Sequence, residues 1–280
     1  MQKHLIFIIV LLYFVLSPCF SQEEKTEKLY YKSNMFGVGA INIYDTYLSP
    51  LNYSGTSLSF MQENMKVTGL LKENIVSQQI LNIDVASGKT KTGNSTEYTG
   101  FLEYDYGLFY RFVPQTNLKI FVGSQANGLL GFIYNVRNSN NPATAKAHLN
   151  LTLSGAAAYD FRIKSQAFRL RYQISTPFAG IMFSPNYGQS YYEISLGDDE
   201  QLIHFSSYHN QLSLRNSFSL EIPLNFMTLR VMYINSIYET YISNIDTRIH
   251  NNSFMIGCSK EFFTISGKKQ AKGNYKRVFE

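Results

Sequence analysis

Acid–base and nucleophilic chemistry needs a base, a nucleophile and an orienting acid within hydrogen-bond reach. One stretch of this chain gathers those residue types: Asp198-Asp199-Glu200, followed by His204, Ser206 and His209. On an extended strand His204 and Ser206 share a face, about 7 Å apart at the backbone. No surrounding motif singles out the acid, so polar residues of a rim loop are the preferred reading. Lipid hydrolysis or proteolysis is the minor alternative, and no catalytic residue is assigned.

Metal and phosphate chemistry find less support. No two Cys or His stand at ligand spacing, and Cys258, between Gly257 and Ser259, reads as a small apolar filler of a strand. Gly37-Val38-Gly39 lacks the further glycine and the following helix of a phosphate cradle. Neither a metal nor a cofactor is expected.

A third chemistry is ionic. Glu103, Asp105, Arg111, Asp160, Arg162, Arg169, Arg171, Arg215, Glu221 and Arg230 fall on the polar side of stretches that alternate with period two. Inside a closed sheet these ten side chains would form a luminal network. Arg111, Arg162, Arg169, Glu221 and Arg230 stand close to short turns, so one net positive layer is expected near that end. Such a layer fits two functions. Paired charges can plug a barrel, since about eight strands leave room only for side chains; rings of arginine can instead select small anions. The plug is preferred.

Strands must hold these residues. Leu102, Tyr104, Tyr106, Leu108, Tyr110 and Phe112 alternate with Glu103, Asp105, Gly107 and Arg111, a separation that only a pleated strand produces. The pattern recurs over 147–163, 168–176 and 211–224. Strands are expected over 35–48, 56–67, 75–86, 98–113, 118–136, 147–163, 168–183, 202–222, 226–243 and 246–264, with 189–201 a rim hairpin or a further strand. Pro114–Asn117, Lys164–Ala167 and Pro223–Asn225 compose tight turns, whereas Gly88–Glu97 and Asn138–Lys146 compose longer polar loops. Pro177 alone interrupts a strand pattern and marks a break or bulge.

These features specify an all-β chain, an antiparallel transmembrane β-barrel of about 10 strands within a range of roughly 8 to 12. A soluble antiparallel sandwich or barrel is the competing fold, but the strands are longer than the usual five or six residues or so. The aromatic content agrees with a membrane: 21 Tyr and 21 Phe with no Trp suit positions that are half apolar and half wet.

The chain opens with Lys3 and an apolar run from Leu5 to Leu16, then Ser17 to Ser21, which reads as a secretory signal cleaved after Ser21. The run is too short for a membrane helix, which takes about 20 residues. Pro18 before Cys19 argues against lipid attachment. The expected organisation is a signal peptide over 1–21, a periplasmic segment over 22–34, the barrel over 35–264 and a basic tail over 265–280. With Cys19 removed, Cys258 has no partner for an internal disulfide. A net charge of +5 without aromatic-interleaved basic blocks excludes nucleic acid as a partner.

The run Glu103-Tyr104-Asp105-Tyr106-Gly107-Leu108-Phe109-Tyr110-Arg111, the signal ending Cys19-Phe20-Ser21-Gln22 and the Asn-rich loops resemble the uncharacterised small outer-membrane β-barrel proteins of Bacteroidota. The resemblance implies a fold and an outer-membrane location, and it brings no activity or site. The expected partners are bilayer lipids and an extracellular partner met through the loops. The expected role is structural or surface-interacting, with a narrow channel for small anionic solutes as the alternative.

Overall fold

The computed structural model describes residues 29–139, 141–197, 201–224, 227–263 and 278–279. The expected signal peptide, the acids Asp198-Asp199-Glu200 and most of the basic tail lie outside them. Among the described residues eleven strands follow one another: β1 Leu29–Asp45, β2 Ser49–Val67, β3 Ile75–Lys89, β4 Thr96–Gln115, β5 Leu118–Asn135, β6 Ala143–Ile163, β7 Gln166–Phe183, β8 Ile203–Ser207, β9 Gln211–Pro223, β10 Thr228–Ile242 and β11 Ile245–Phe263. A short helix, α1 Tyr191–Ser195, lies between β7 and β8.

Each strand pairs antiparallel with its neighbours, and β1 pairs with β11, which closes the sheet into a barrel. Strands β8 and β9 lie end to end against β7, one at Ala179–Phe183 and the other at Arg169–Ser175. The eleven strands therefore occupy ten positions in the wall. The seam falls at Pro177, the expected break in the pattern: the β6–β7 register shifts there, and a turn over 208–210 separates β8 from β9. Proline supplies no N–H to the ladder, so the interruption sits where a bond is already missing.

Connections at the two ends differ. One end carries 68–74, 116–117, 164–165 and 224–227; the other carries 46–48, 90–95, 136–142, 184–202 and 243–244. We call them the turn end and the loop end. Ten strand positions agree with the pattern of alternation, but the ends of the strands extend further. Residues 29–34, expected within the periplasmic segment before the barrel, are the start of β1 and pair with β11 as far as Leu29↔Phe263. The stretch 189–201 is neither hairpin nor strand where it is described. Ser190 caps α1 reciprocally with Glu193, a local capping box that favours a helical turn.

The two faces of the wall have opposite chemistry. Leu102, Tyr104, Tyr106, Leu108, Leu149, Leu151, Leu153, Phe218, Phe254 and Ile256 are exposed on the outside. Between them, inward-facing polar residues such as Asp105, Asn127, Asn150, Thr152 and Ser219 are buried. A soluble protein would reverse this, because apolar surface left in water costs about 25 cal/mol per Å².

Candidate functional site: the filled lumen

The lumen is packed in layers along the barrel axis. At the turn end Tyr31, Val67, Val76, Phe109 and Phe121 form an apolar layer with Val278 and Phe279. Phe279 is 1 % exposed and meets the rings of Tyr31 and Phe121 edge-on, with centroids at 5.3 and 5.9 Å. The guanidinium groups of Arg169 and Arg171 lie 4.4 and 4.8 Å from its centroid. Arg111 Nη1 donates to Val278 O at 3.2 Å. A residue pair from the far end of the sequence thus packs inside this mouth of the barrel.

Next comes an ionic layer with two arginines balanced by two glutamates at its centre. Arg171 reaches Glu63 through Nη2 at 2.8 Å and Nη1 at 3.1 Å, and Glu221 through Nη1 at 3.3 Å. Arg230 pairs with Glu63 and stands 3.7 Å from Glu221. The Tyr31 hydroxyl donates to Glu221 Oε1 at 2.5 Å. At the rim of the layer Asp160 accepts from Lys119 at 2.7 Å and from Arg169 at 2.6 Å. Both carboxylates and both guanidinium groups at the centre are almost fully buried, an arrangement tolerable only when each charge is paired and hydrogen-bonded.

Above it lies a glutamine layer. Gln78 donates to Glu63 Oε1 at 2.5 Å, exchanges bonds with Gln173 at 3.0 Å and accepts from Gln125 at 3.2 Å. Gln173 continues to Ser154 at 3.1 Å. Beside this layer Met35, Met61, Met232 and Met255 fill the sector under β1, β2, β10 and β11. Flexible thioethers suit the irregular gaps between charged groups and the wall.

A second ionic group follows. Arg215 Nη1 donates to Glu103 at 2.7 Å, and its other nitrogen pairs with Asp105. At the loop end Ile41, Ile43, Leu48, Tyr53, Ile133 and Ile249 make another apolar layer. Lys146 pairs there with the fully buried Asp45 at 2.6 Å. The connection after β7 folds over this rim: Tyr47 donates to Gln189 O at 2.8 Å, and the Tyr191 hydroxyl accepts from Ala145 N at 2.6 Å.

Of the ten ionic residues expected in the lumen, Glu103, Asp105, Arg111, Asp160, Arg169, Arg171, Arg215, Glu221 and Arg230 face inward and make the contacts just described. Arg162 does not. It is exposed at the β6–β7 turn, because it stands on the last rungs where the lumen opens to solvent. Of the five residues expected in one layer near the turn end, Arg111, Arg169, Glu221 and Arg230 lie there, while Arg215 forms a separate group with Glu103 and Asp105. Glu63, Lys119 and Tyr31 join the network without a signal in the alternation. Glu63 is hidden there because Met61 and Met65 flank it on the same inner face of β2, so that face reads as apolar.

Among the described rim residues of the minor enzymatic alternative, His204, Ser206 and His209 take separate partners. His204 Nε2 lies 3.3 Å from Ser184 O and 3.4 Å from Ser243 Oγ, whereas Ser206 Oγ donates to Asn150 Oδ1 at 3.0 Å. His209 Nδ1 instead meets Ser207 Oγ at 2.6 Å on the exposed turn. Cys258, read from sequence as a small apolar filler of a strand, is exposed on the outer face of β11.

Comparison with solved structures finds other β-barrels. The chain is similar to the outer-membrane protease OmpT of Escherichia coli at 8% identity, over 86% of this chain and 100% of that one, with a TM-score of 0.44. It is similar to the translocator domain of the autotransporter NalP from Neisseria meningitidis at 8% identity, over 86% and 90%, with a TM-score of 0.38. The transport unit of the autotransporter AIDA-I from Escherichia coli aligns at 7% identity over 90% and 96%, with a TM-score of 0.40. No curated protein matches the chain in sequence. Residues 5–269 match the family described as "Protein of unknown function (DUF3316)", and the chain belongs to that family.

Proposed function

We propose that this chain is an outer-membrane β-barrel with a sealed lumen, and that its role is structural or surface-interacting rather than that of a passage. The observation that carries this reading is the buried layer of Glu63, Arg171, Arg230 and Glu221 spanning the lumen. An anion channel needs arginines that water and solute can reach. Here the side chains of Arg171 and Arg230 are 7 % and 4 % exposed and committed to carboxylates.

The apolar outer belt supports contact with bilayer lipids, and the N-terminal apolar run supports export. The loop end carries the 184–202 connection and the exposed Tyr187, Tyr192 and Leu196, so this end would face outward to meet an extracellular partner, with the turn end periplasmic. Recordings from the purified protein in planar bilayers test the sealed lumen. No conductance steps are expected, and regular steps would overturn the reading. Membrane fractionation with gel migration before and after boiling tests the location: a soluble protein migrating identically in both lanes would refute it.

A further inference from the structure

The outer face of the barrel is not the same all the way round. On β4, β5, β6 and β7 the outward side chains are apolar, aromatic or small, and apart from Gln166 on the first rung of β7 none of those described is an asparagine or glutamine. Two groups of carboxamides break the belt elsewhere. Asn34 and Gln62 stand beside Lys32 and Asn64, at the turn-end margin where lipid headgroups supply partners. Asn216 on β9, Asn235 on β10 and Asn252 on β11 are different, because they lie directly opposite one another in register and inside the belt. Asn216 stands between Leu214 and Phe218 on the outer face of its strand, and Asn235 between Tyr233 and Ile237.

These three form a ladder that is only partly satisfied. Asn216 Nδ2 donates to Asn235 Oδ1 at 3.3 Å, and Asn235 Nδ2 donates to Asn252 Oδ1 at 2.8 Å. The hydroxyls of Tyr172 and Tyr233 donate to Asn216 Oδ1 at 2.9 Å and to Asn252 Oδ1 at 2.8 Å. Every oxygen is therefore used. Each amide nitrogen carries two donors, however, and Asn252 Nδ2 makes no bond among the described residues. All three side chains are half-buried on the outer surface, so a neighbour can reach them. Lipid tails accept no hydrogen bond, and an unsatisfied donor facing them costs stability. Another protein surface supplies what lipid lacks, because amide side chains bond across membrane-embedded contacts.

We propose that the face formed by β9, β10 and β11 is covered by a second copy of this chain, making a two-fold dimer in the membrane. Charge complementarity selects a copy of itself as the occupant. Toward the loop end Glu239 on β10 stands opposite Arg248 on β11, with His250 Nε2 at 2.7 Å from Glu239 Oε1. Arg248 holds Asp246 through Nε and Nη2 at 3.0 and 2.6 Å, which leaves Nη1 for a further carboxylate. A two-fold axis along the membrane normal, passing between β10 and β11, sets β10 of each copy against β11 of the other. Glu239 then meets Arg248, Asn235 meets Asn252, and Tyr233 and Phe254 pack below them. One patch thus complements itself, as a two-fold contact requires. The inference rests on the membrane placement proposed above and is independent of whether the lumen conducts.

The test combines the mass of the full chain in detergent, by light scattering, with cysteine cross-linking in native membranes. Twice the chain mass is expected. Asn235→Cys, in a chain with Cys258→Ser, should form a disulfide-linked dimer, whereas Ala126→Cys on the outer face of β5 should not. Replacing both Asn235 and Asn252 by leucine should weaken dimerisation at least about tenfold, and the barrel should still shift on boiling because leucine suits a lipid-facing site. A monomer that shifts on boiling would overturn the proposal while leaving the membrane reading intact. Equal cross-linking at 126 and 235, cross-linking of 235 to a different protein, or undiminished dimerisation of the leucine variant would overturn it too. A soluble protein migrating identically boiled and unboiled would refute the membrane reading, and this inference with it. If the leucine variant does not fold, mass and cross-linking decide.

Discussion

Glu63 on β2 and Arg171 on β7 stand 108 residues apart in the chain and 2.8 Å apart in the lumen. They occupy positions on opposite arcs of the wall, so the pair exists only after β1 has met β11 and the sheet has closed. The barrel therefore carries a buried ionic contact that reports on closure itself.

Replacing Glu63 by Gln leaves Arg171 and Arg230 sharing Glu221 in a dry layer. Stripping one partner from a buried pair costs about 3–5 kcal/mol. The urea midpoint of the Glu63→Gln protein in detergent should fall accordingly. A double-mutant cycle with Arg171→Leu should return a coupling of roughly 0.5–3 kcal/mol.

Leu151 is 51 % exposed on the outer face of β6. In a bilayer Leu151→Arg should cost about 2–4 kcal/mol if the position is near the midplane. On a water-facing surface the change should stay within about 0.5 kcal/mol. Unfolding of both proteins in lipid vesicles separates these outcomes, and the small value would contradict membrane placement.

Phe279→Ala removes the ring enclosed by Tyr31, Phe121, Arg169 and Arg171. A loss of about 3–5 kcal/mol is expected for a buried phenylalanine. Conductance should remain absent, because the Glu63 and glutamine layers still block the axis. Steady current through this variant would show that Phe279 alone was the seal.

Gly123 allows β4 and β5 to approach, since a Cβ there would collide with Leu108 O, a backbone atom that cannot swing aside. Gly123→Ala should destabilise by about 1–3 kcal/mol. Gly155→Ala is the control, because nothing stands within 4 Å of the place its new methyl group would take. Thermal unfolding monitored by circular dichroism should rank the two.

Partial burial pushes the Tyr47 hydroxyl from 10.0 up to about 12, with Tyr191 and Asp45 nearby acting in the same direction. The folded rim prefers the neutral phenol, which donates to Gln189 O. Its contribution is complete below pH 10.0 and is lost as the pH rises through about 12. In a protein labelled at tyrosine Cζ, one carbon resonance should titrate near the upper value and vanish in Tyr47→Phe. A Tyr47 resonance titrating at the ordinary value would refute this.

Most of the wall could be read from the chain. Alternation of Leu102, Tyr104 and Tyr106 with Glu103 and Asp105 is a local property, because successive side chains of a strand point to opposite faces whatever the strand pairs with. That period separated outside from inside, located the turns and marked Pro177. It also placed nine of the ten ionic residues named from sequence on the inner face, with Arg162 left at the mouth. Which charges meet was not legible. Arg215 joins Glu103 and Asp105 on β4, and Arg171 joins Glu63 on β2. Those choices depend on register, on the tilt of the closed sheet and on which strands face each other across the lumen. Nor could any local pattern place Val278 and Phe279 inside the barrel. Their partners come from strands far apart in sequence. Side-chain direction along a strand is decided by the pleat; contact across a lumen is decided by closure, which only the whole sheet accomplishes.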